Sequence, residues 1–126
     1  MLIIDTDILI DASRKITDAV DFLEQAETAT GLAISAVTQM ELLVGARDKR
    51  SQQNVERFLA RFTVLKLNGS ISDAAYDLLL KYRLSHGLAI ADALIAATAI
   101  VTAQPLATKN RKDFKFIKGL TLQAYP

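Results

Sequence analysis

Leu2-Ile3-Ile4-Asp5 sets three aliphatic residues in a row and closes them with a carboxylate. Leu32-Ala33-Ile34-Ser35 and Leu106-Ala107-Thr108 repeat that form, a short apolar run ended by a polar side chain. Continuous apolar runs of this length suit strands covered on both faces. Between them lie longer stretches of helical period, with Ala19, Val20, Phe22, Leu23 and Ala26 on one face, then Val37, Met40, Leu43 and Val44, then Val55, Phe58, Leu59 and Phe62. Short strands alternating with helices predict an α/β fold around a parallel sheet.

Working outward, strands are expected at residues 2–5, 32–35, 63–67 and 106–108, with a short edge strand at 121–124. A brief helical turn is expected from Asp7, and helices over 17–28, from Ser35 or Thr38 to Gly45, from Ser51, from Ser70 to His86-Gly87, and from Asp92 to Ala103. Asp73, three residues after Ser70, imitates a capping box. The 92–103 helix carries small or apolar residues on nearly every side, which predicts packing on more than one face.

At 126 residues and 13.8 kDa the chain is one domain's worth, residues 1–126, and its extended form would bury about two thirds of its surface on folding. With 51% hydrophobic and 23% charged residues it is not a disordered tail. The absence of cysteine removes disulfides, thiolate zinc sites and cysteine nucleophiles. No basic leader precedes Leu2, and the most membrane-like stretch, 88–107, is interrupted by Asp92, so a cytoplasmic protein without a membrane span is expected. The net charge of +1 names no partner by itself.

In an open parallel sheet, ligands collect beyond the carboxyl ends of the strands. This sequence places mostly carboxylates there: Asp5 after the first strand, Glu41 in the helix leaving the second, Asp92 before the fourth and Asp113 after it. Acids converging on one pocket repel strongly unless protonated or neutralised by a cation. All-oxygen ligands with no Cys and a single His favour Mg²⁺ or Mn²⁺. Metal-assisted hydrolysis of a phosphate ester follows as the reaction class.

Four segments carry a family resemblance: Ile4-Asp5-Thr6-Asp7-Ile8-Leu9-Ile10, Ile34-Ser35-Ala36-Val37-Thr38-Gln39-Met40-Glu41-Leu42, Ile90-Ala91-Asp92-Ala93-Leu94-Ile95-Ala96-Ala97-Thr98-Ala99, and Leu106-Ala107-Thr108-Lys109-Asn110 with Asp113-Phe114. In this order and spacing the chain resembles the PIN-domain ribonucleases, in particular the VapC-like toxins of toxin-antitoxin pairs. The resemblance implies a three-layer α/β/α fold with a mostly parallel sheet of four or five strands. It implies an acidic quartet of Asp5, Glu41, Asp92 and Asp113, with Asp5 and Asp92 the most direct metal ligands and Thr6, Ser35, Thr108 and Asn110 in support. It further implies cleavage of single-stranded or looped RNA with Mg²⁺ or Mn²⁺, an antitoxin partner and a homodimer. The family commonly has Asn where this chain has Asp7, which adds a ligand, tunes the site or caps the next helical turn.

Each acid also has a plainer reading. Asp5 is a possible turn carboxylate, Thr38 and Glu41 have capping-box spacing, Asp92 gains from a helix N-terminus, and Asp113 sits in a turn. If Ser35 caps its helix, Glu41 is free to face a site. Asp11, Asp18, Asp21 and Asp48 read as solvated charges, and His86 as a helix C-terminal residue. Residues 109–118 hold Lys109, Arg111, Lys112, Lys115 and Lys118 against one acid, a run suited to RNA phosphates beside a metal site. The aromatic residues form no stacking motif along the chain. Two further readings stand: a haloacid-dehalogenase-like phosphatase using Asp5 and Asp7, and a receiver-like switch. A solitary RNA-processing nuclease of the same family is a fourth.

Overall fold

A computed structural model describes residues 1–126. The chain runs β1 (Leu2–Ile4), α1 (Thr6–Ser13), α2 (Thr17–Ala29), β2 (Leu32–Ser35), α3 (Ala36–Val44), α4 (Lys49–Leu59), β3 (Thr63–Leu65), α5 (Gly69–His86), α6 (Ile90–Val101), β4 (Leu106–Ala107), a 3-10 turn at Arg111–Asp113 and β5 (Leu122–Gln123). The five strands form one sheet in the order β3-β2-β1-β4-β5. Every neighbouring pair is parallel, including the edge strand β5.

Side chains alternate across the sheet and divide the core into two halves. Ile3, Ala33 and Leu106 point to the side covered by α5 and α6, where they meet Ile71, Ala75, Leu78, Ile95 and Ala96. Leu2, Ile4, Leu32, Ile34 and Ala107 point to the other side and meet Ile8, Leu9, Leu23, Leu59 and Phe62. All residues of β1 and β2 are buried, which is why these strands read as unbroken apolar runs. The result is the expected three-layer arrangement. Ala93, Ala96, Ala97 and Ala99 are almost wholly buried, as expected of a helix packed on several sides, and their small size lets neighbouring backbones approach α6 closely. No helix is long and apolar enough to cross a membrane.

Several boundaries differ from expectation, chiefly because of competing caps. The short turn after Asp5 is a full helix whose Ile8, Leu9 and Ala12 are buried. α4 starts at Lys49 rather than Ser51, because Asp48 accepts a hydrogen bond from Ser51 N at 2.8 Å; that bond holds the Asp48 carboxyl below its ordinary pKa. α5 starts before Ser70, capped by Asn68, whose Oδ1 accepts from Ile71 N at 2.9 Å. The Ser70–Asp73 box therefore does not form the cap. α6 starts at Ile90, so Asp92 lies inside its first turn instead of opening it.

Candidate active site

β1 lies between β2 and β4, and the chain approaches it from opposite sides of the sheet, so the carboxyl ends of β1 and β4 flank a topological switch point. The pairing Ile4↔Ala107 makes Asp5 and Thr108 the next residues along the two strands. Asp5 N donates to the Ala107 carbonyl at 2.9 Å, which pins them side by side.

Asp5 is 5% exposed. Thr6 N donates to its Oδ1 at 2.8 Å, and the Thr108 hydroxyl donates to its Oδ2 at 2.7 Å. Thr108 Oγ1 in turn accepts from Asn110 N at 3.0 Å. These bonds fill about half of the carboxylate's acceptor positions and leave the rest for the cleft. Asp5 thus caps α1 and also lines the cleft. Burial raises its pKa; the bonds from Thr108 and Thr6 oppose the rise, and the charges of Asp7 and Glu41 add to it.

Ser35 caps α3 by accepting from Val37 N at 3.1 Å, so the capping-box alternative for Thr38 and Glu41 is not used. Glu41 lies well inside α3, and its Oε1 accepts from the Thr6 hydroxyl at 2.7 Å. Thr6 Oγ1 is also 3.1 Å from Thr38 Oγ1. A hydroxyl has one proton, so Thr6 spends it on Glu41 and accepts from the fully buried Thr38. No hydrogen bond holds the Asp92 carboxylate. Burial, then the charges of Asp5, Asp113, Glu41 and Asp7, push its pKa up to about 6.

These groups share a cleft of about 310 Å³ lined by Asp5, Thr6, Asp7, Ile10, Glu41, Asp92, Asn110, Asp113 and Phe114. All four acids singled out from the sequence face it, and Asp7 makes a fifth, held by a hydrogen bond from the Asn110 side-chain amide. Ser35 acts one step away, through the start of α3. Lys109, Arg111, Lys112 and Lys115 do not line the cleft. Lys109 is paired with Asp11 at 2.6 Å, so Asp11 is a partner and not a free solvated charge. Arg111, Lys112 and Lys115 are exposed and take part in no ion pair. Thr38 was not singled out as a support for Thr6; its one signal was a polar side chain on a helix turn between Ser35 and Glu41. Three larger hollows, about 370, 400 and 540 Å³, bring no two carboxylates together.

The donor set is all oxygen, and the lone His86 does not line the cleft but stacks on Phe116. Hard dications fit such donors. No three of the acids are drawn together into a finished coordination shell, as mutual repulsion dictates. The unbonded Asp92 and the free lone pairs of Asp5 are the groups that would hold Mg²⁺ or Mn²⁺ most directly, with Glu41, Asp113 and Asp7 around them.

The PIN domain family matches residues 2–120. Ribonuclease VapC10 of Mycobacterium tuberculosis is 38% identical over 121 residues, covering 95% of this chain and 90% of the relative. Ribonuclease VapC1 of Methanocaldococcus jannaschii is 29% identical over 126 residues, covering 98% and 86%. Among solved structures, VapBC2 from Rickettsia felis bound to a promoter DNA fragment superposes with a TM-score of 0.85 at 26% identity, over 99% of this chain and 98% of that one. A toxin-antitoxin complex from Klebsiella pneumoniae gives 0.80 at 31% identity over 100% of both chains. By profile, sequence and fold, this chain belongs to the PIN-domain family and is a relative of the VapC ribonucleases.

Proposed function

We propose that the chain is a Mg²⁺- or Mn²⁺-dependent endoribonuclease and the toxin of a toxin-antitoxin pair, working in the cytoplasm as a single catalytic domain. The observation that carries this reading is the convergence of Asp5, Asp7, Glu41, Asp92 and Asp113 on one cleft at the switch point of the sheet. The similarity to proteins called ribonuclease VapC supports the reaction, and the similarity to toxin-antitoxin complexes supports the partner.

A dication held there supplies Lewis-acid stabilisation of the phosphoryl charge and a more acidic attacking water. The chain's own residues prepare for it. Thr6 and Thr108 fix the Asp5 carboxylate from two sides, so its remaining lone pairs keep one direction. Thr6 also orients Glu41, tying the start of α1 to the middle of α3. Asn110 holds Asp7 and, through its backbone amide, Thr108, so the loop after β4 closes the site. Arg111, Lys112 and Lys115 carry positive charge past Asp113 to receive RNA phosphates; Lys109 is already engaged with Asp11. Beyond Asp5 and Asp7 nothing supports a phosphatase, since Asp92, flanked by Ala91 and Ala93, supplies no later paired aspartate.

Tyr76, Leu80 and Leu84 on α5 are 64%, 67% and 89% exposed, and an apolar groove lies between α3 and α4. Both give an antitoxin or a second copy of the chain apolar surface to bury. The test of the reaction is cleavage of an RNA by purified protein with Mn²⁺ or Mg²⁺. Activity should vanish on chelation and in Asp5→Asn and Asp92→Asn; undiminished cleavage in both variants would overturn the assignment.

A further inference from the structure

His86 and Phe116 lie face to face with ring centroids 4.1 Å apart and planes at 8°. Tyr82, one turn before His86 on α5, meets both rings edge-on at 5.1 and 5.8 Å. The Tyr82 hydroxyl accepts from Lys118 N at 3.3 Å, and Ser85 Oγ lies 2.7 Å from His86 Nδ1. Phe116 packs on the core from below, while His86 is exposed. The imidazole is therefore held flat, one face on Phe116 and the other open.

The surroundings are cationic. Lys81, Arg83, Lys115 and Lys118 are exposed, none is in an ion pair, and no Asp or Glu occurs in 78–91 or 114–126. The position is also close to the acidic cleft. Phe114 lines the cleft and Phe116 is two residues further, so their Cα atoms are at most ~7 Å apart.

We infer that Tyr82, His86 and Phe116 form a stacking subsite for an unpaired RNA base beside the cleft, with Lys115 and Lys118 on the flanking phosphates. This rests on the ribonuclease reading and adds to it the side chains that grip a base: an open ring face among cations takes the face of a splayed base, and a duplex hides that face. The subsite continues an existing stack, Phe116 then His86 then base, with the lower rings already ordered.

Binding in EDTA separates this from catalysis. A single-stranded RNA oligonucleotide should bind His86→Ala about tenfold more weakly than the wild-type chain, with the duplex of the same sequence affected little. The chain contains no tryptophan, so His86→Trp restores a stacking face and adds a single indole whose emission, excited apart from the tyrosines, the single strand should quench while binding at full strength. Equal binding of His86→Ala and wild type, an equal loss for the duplex, or an unquenched Trp each overturns the subsite. An equal loss for a polyglutamate peptide also overturns it, in favour of an acidic protein partner. Normal cleavage with an unaffected His86→Ala sinks the subsite alone; His86-dependent binding without any Mn²⁺-supported cleavage sinks the nuclease reading alone.

Discussion

Replacing Asp92 with Asn should make the metal-free protein more stable, because the native carboxylate is held in an unfavourable state. Its pKa stands at about 6 against an ordinary 3.8. At full value that difference corresponds to ~3 kcal/mol at neutral pH. The side chain is only half-buried, and solvent screening reduces the figure to about 1 kcal/mol, or a rise of ~4 °C in Tm for a chain of this size. The folded-state pKa is raised, so the stabilising contribution of Asp92 is whole below pH 3.8 and is lost as pH rises to about 6. Asn cannot ionise and suffers no such loss. Thermal melts in EDTA should therefore coincide near pH 3.8 and separate above pH 6, with Asp92→Asn the more stable. Excess Mn²⁺ should reverse the order, since a ligand at one hundred times its Kd adds about 2.7 kcal/mol and the amide is the poorer donor. A variant no more stable than wild type at pH 7.5 in EDTA, or one whose advantage persists unchanged at pH 3.8, would refute the argument.

Thr108→Val should preserve volume yet leave Asp5 Oδ2 and Asn110 N without their partner, at a cost of about 1–3 kcal/mol in urea unfolding, together with a loss of cleavage rate. Thr6→Val should free Glu41 and leave the buried Thr38 hydroxyl without its partner, lowering cleavage at a similar cost of about 1–3 kcal/mol; unchanged cleavage would remove Thr6 from the site. Lys112→Ala should weaken RNA binding in EDTA at low salt and reduce the slope of log affinity against log salt by about one, whereas an unchanged slope would remove Lys112 from the phosphate path.

The layers of the fold were legible because Leu2-Ile3-Ile4 and Leu32-Ala33-Ile34 are buried on both faces, and burial on both faces writes itself as an uninterrupted aliphatic run. The acids were legible because each stands where such a run ends or enters a buried helix. Helix starts were less so. Asp48 and Ser51, or Asn68 and Ser70, are rival caps within three residues, and the choice depends on where the packed face of each helix must begin. The Thr38–Thr6–Glu41 chain and the Tyr82–His86–Phe116 stack were hidden for a different reason. Each joins a helix to a segment about thirty residues away, so neither has a local spacing to betray it.

Calorimetric titration of the metal-free protein with Mn²⁺ asks the central question most directly. Wild-type protein should take up the ion with release of protons near pH 6, where Asp92 is half-protonated, and both Asp5→Asn and Asp92→Asn should lose that binding. No uptake by the wild type, or equal uptake by all three proteins, would contradict the claim that this cleft is built to hold a dication.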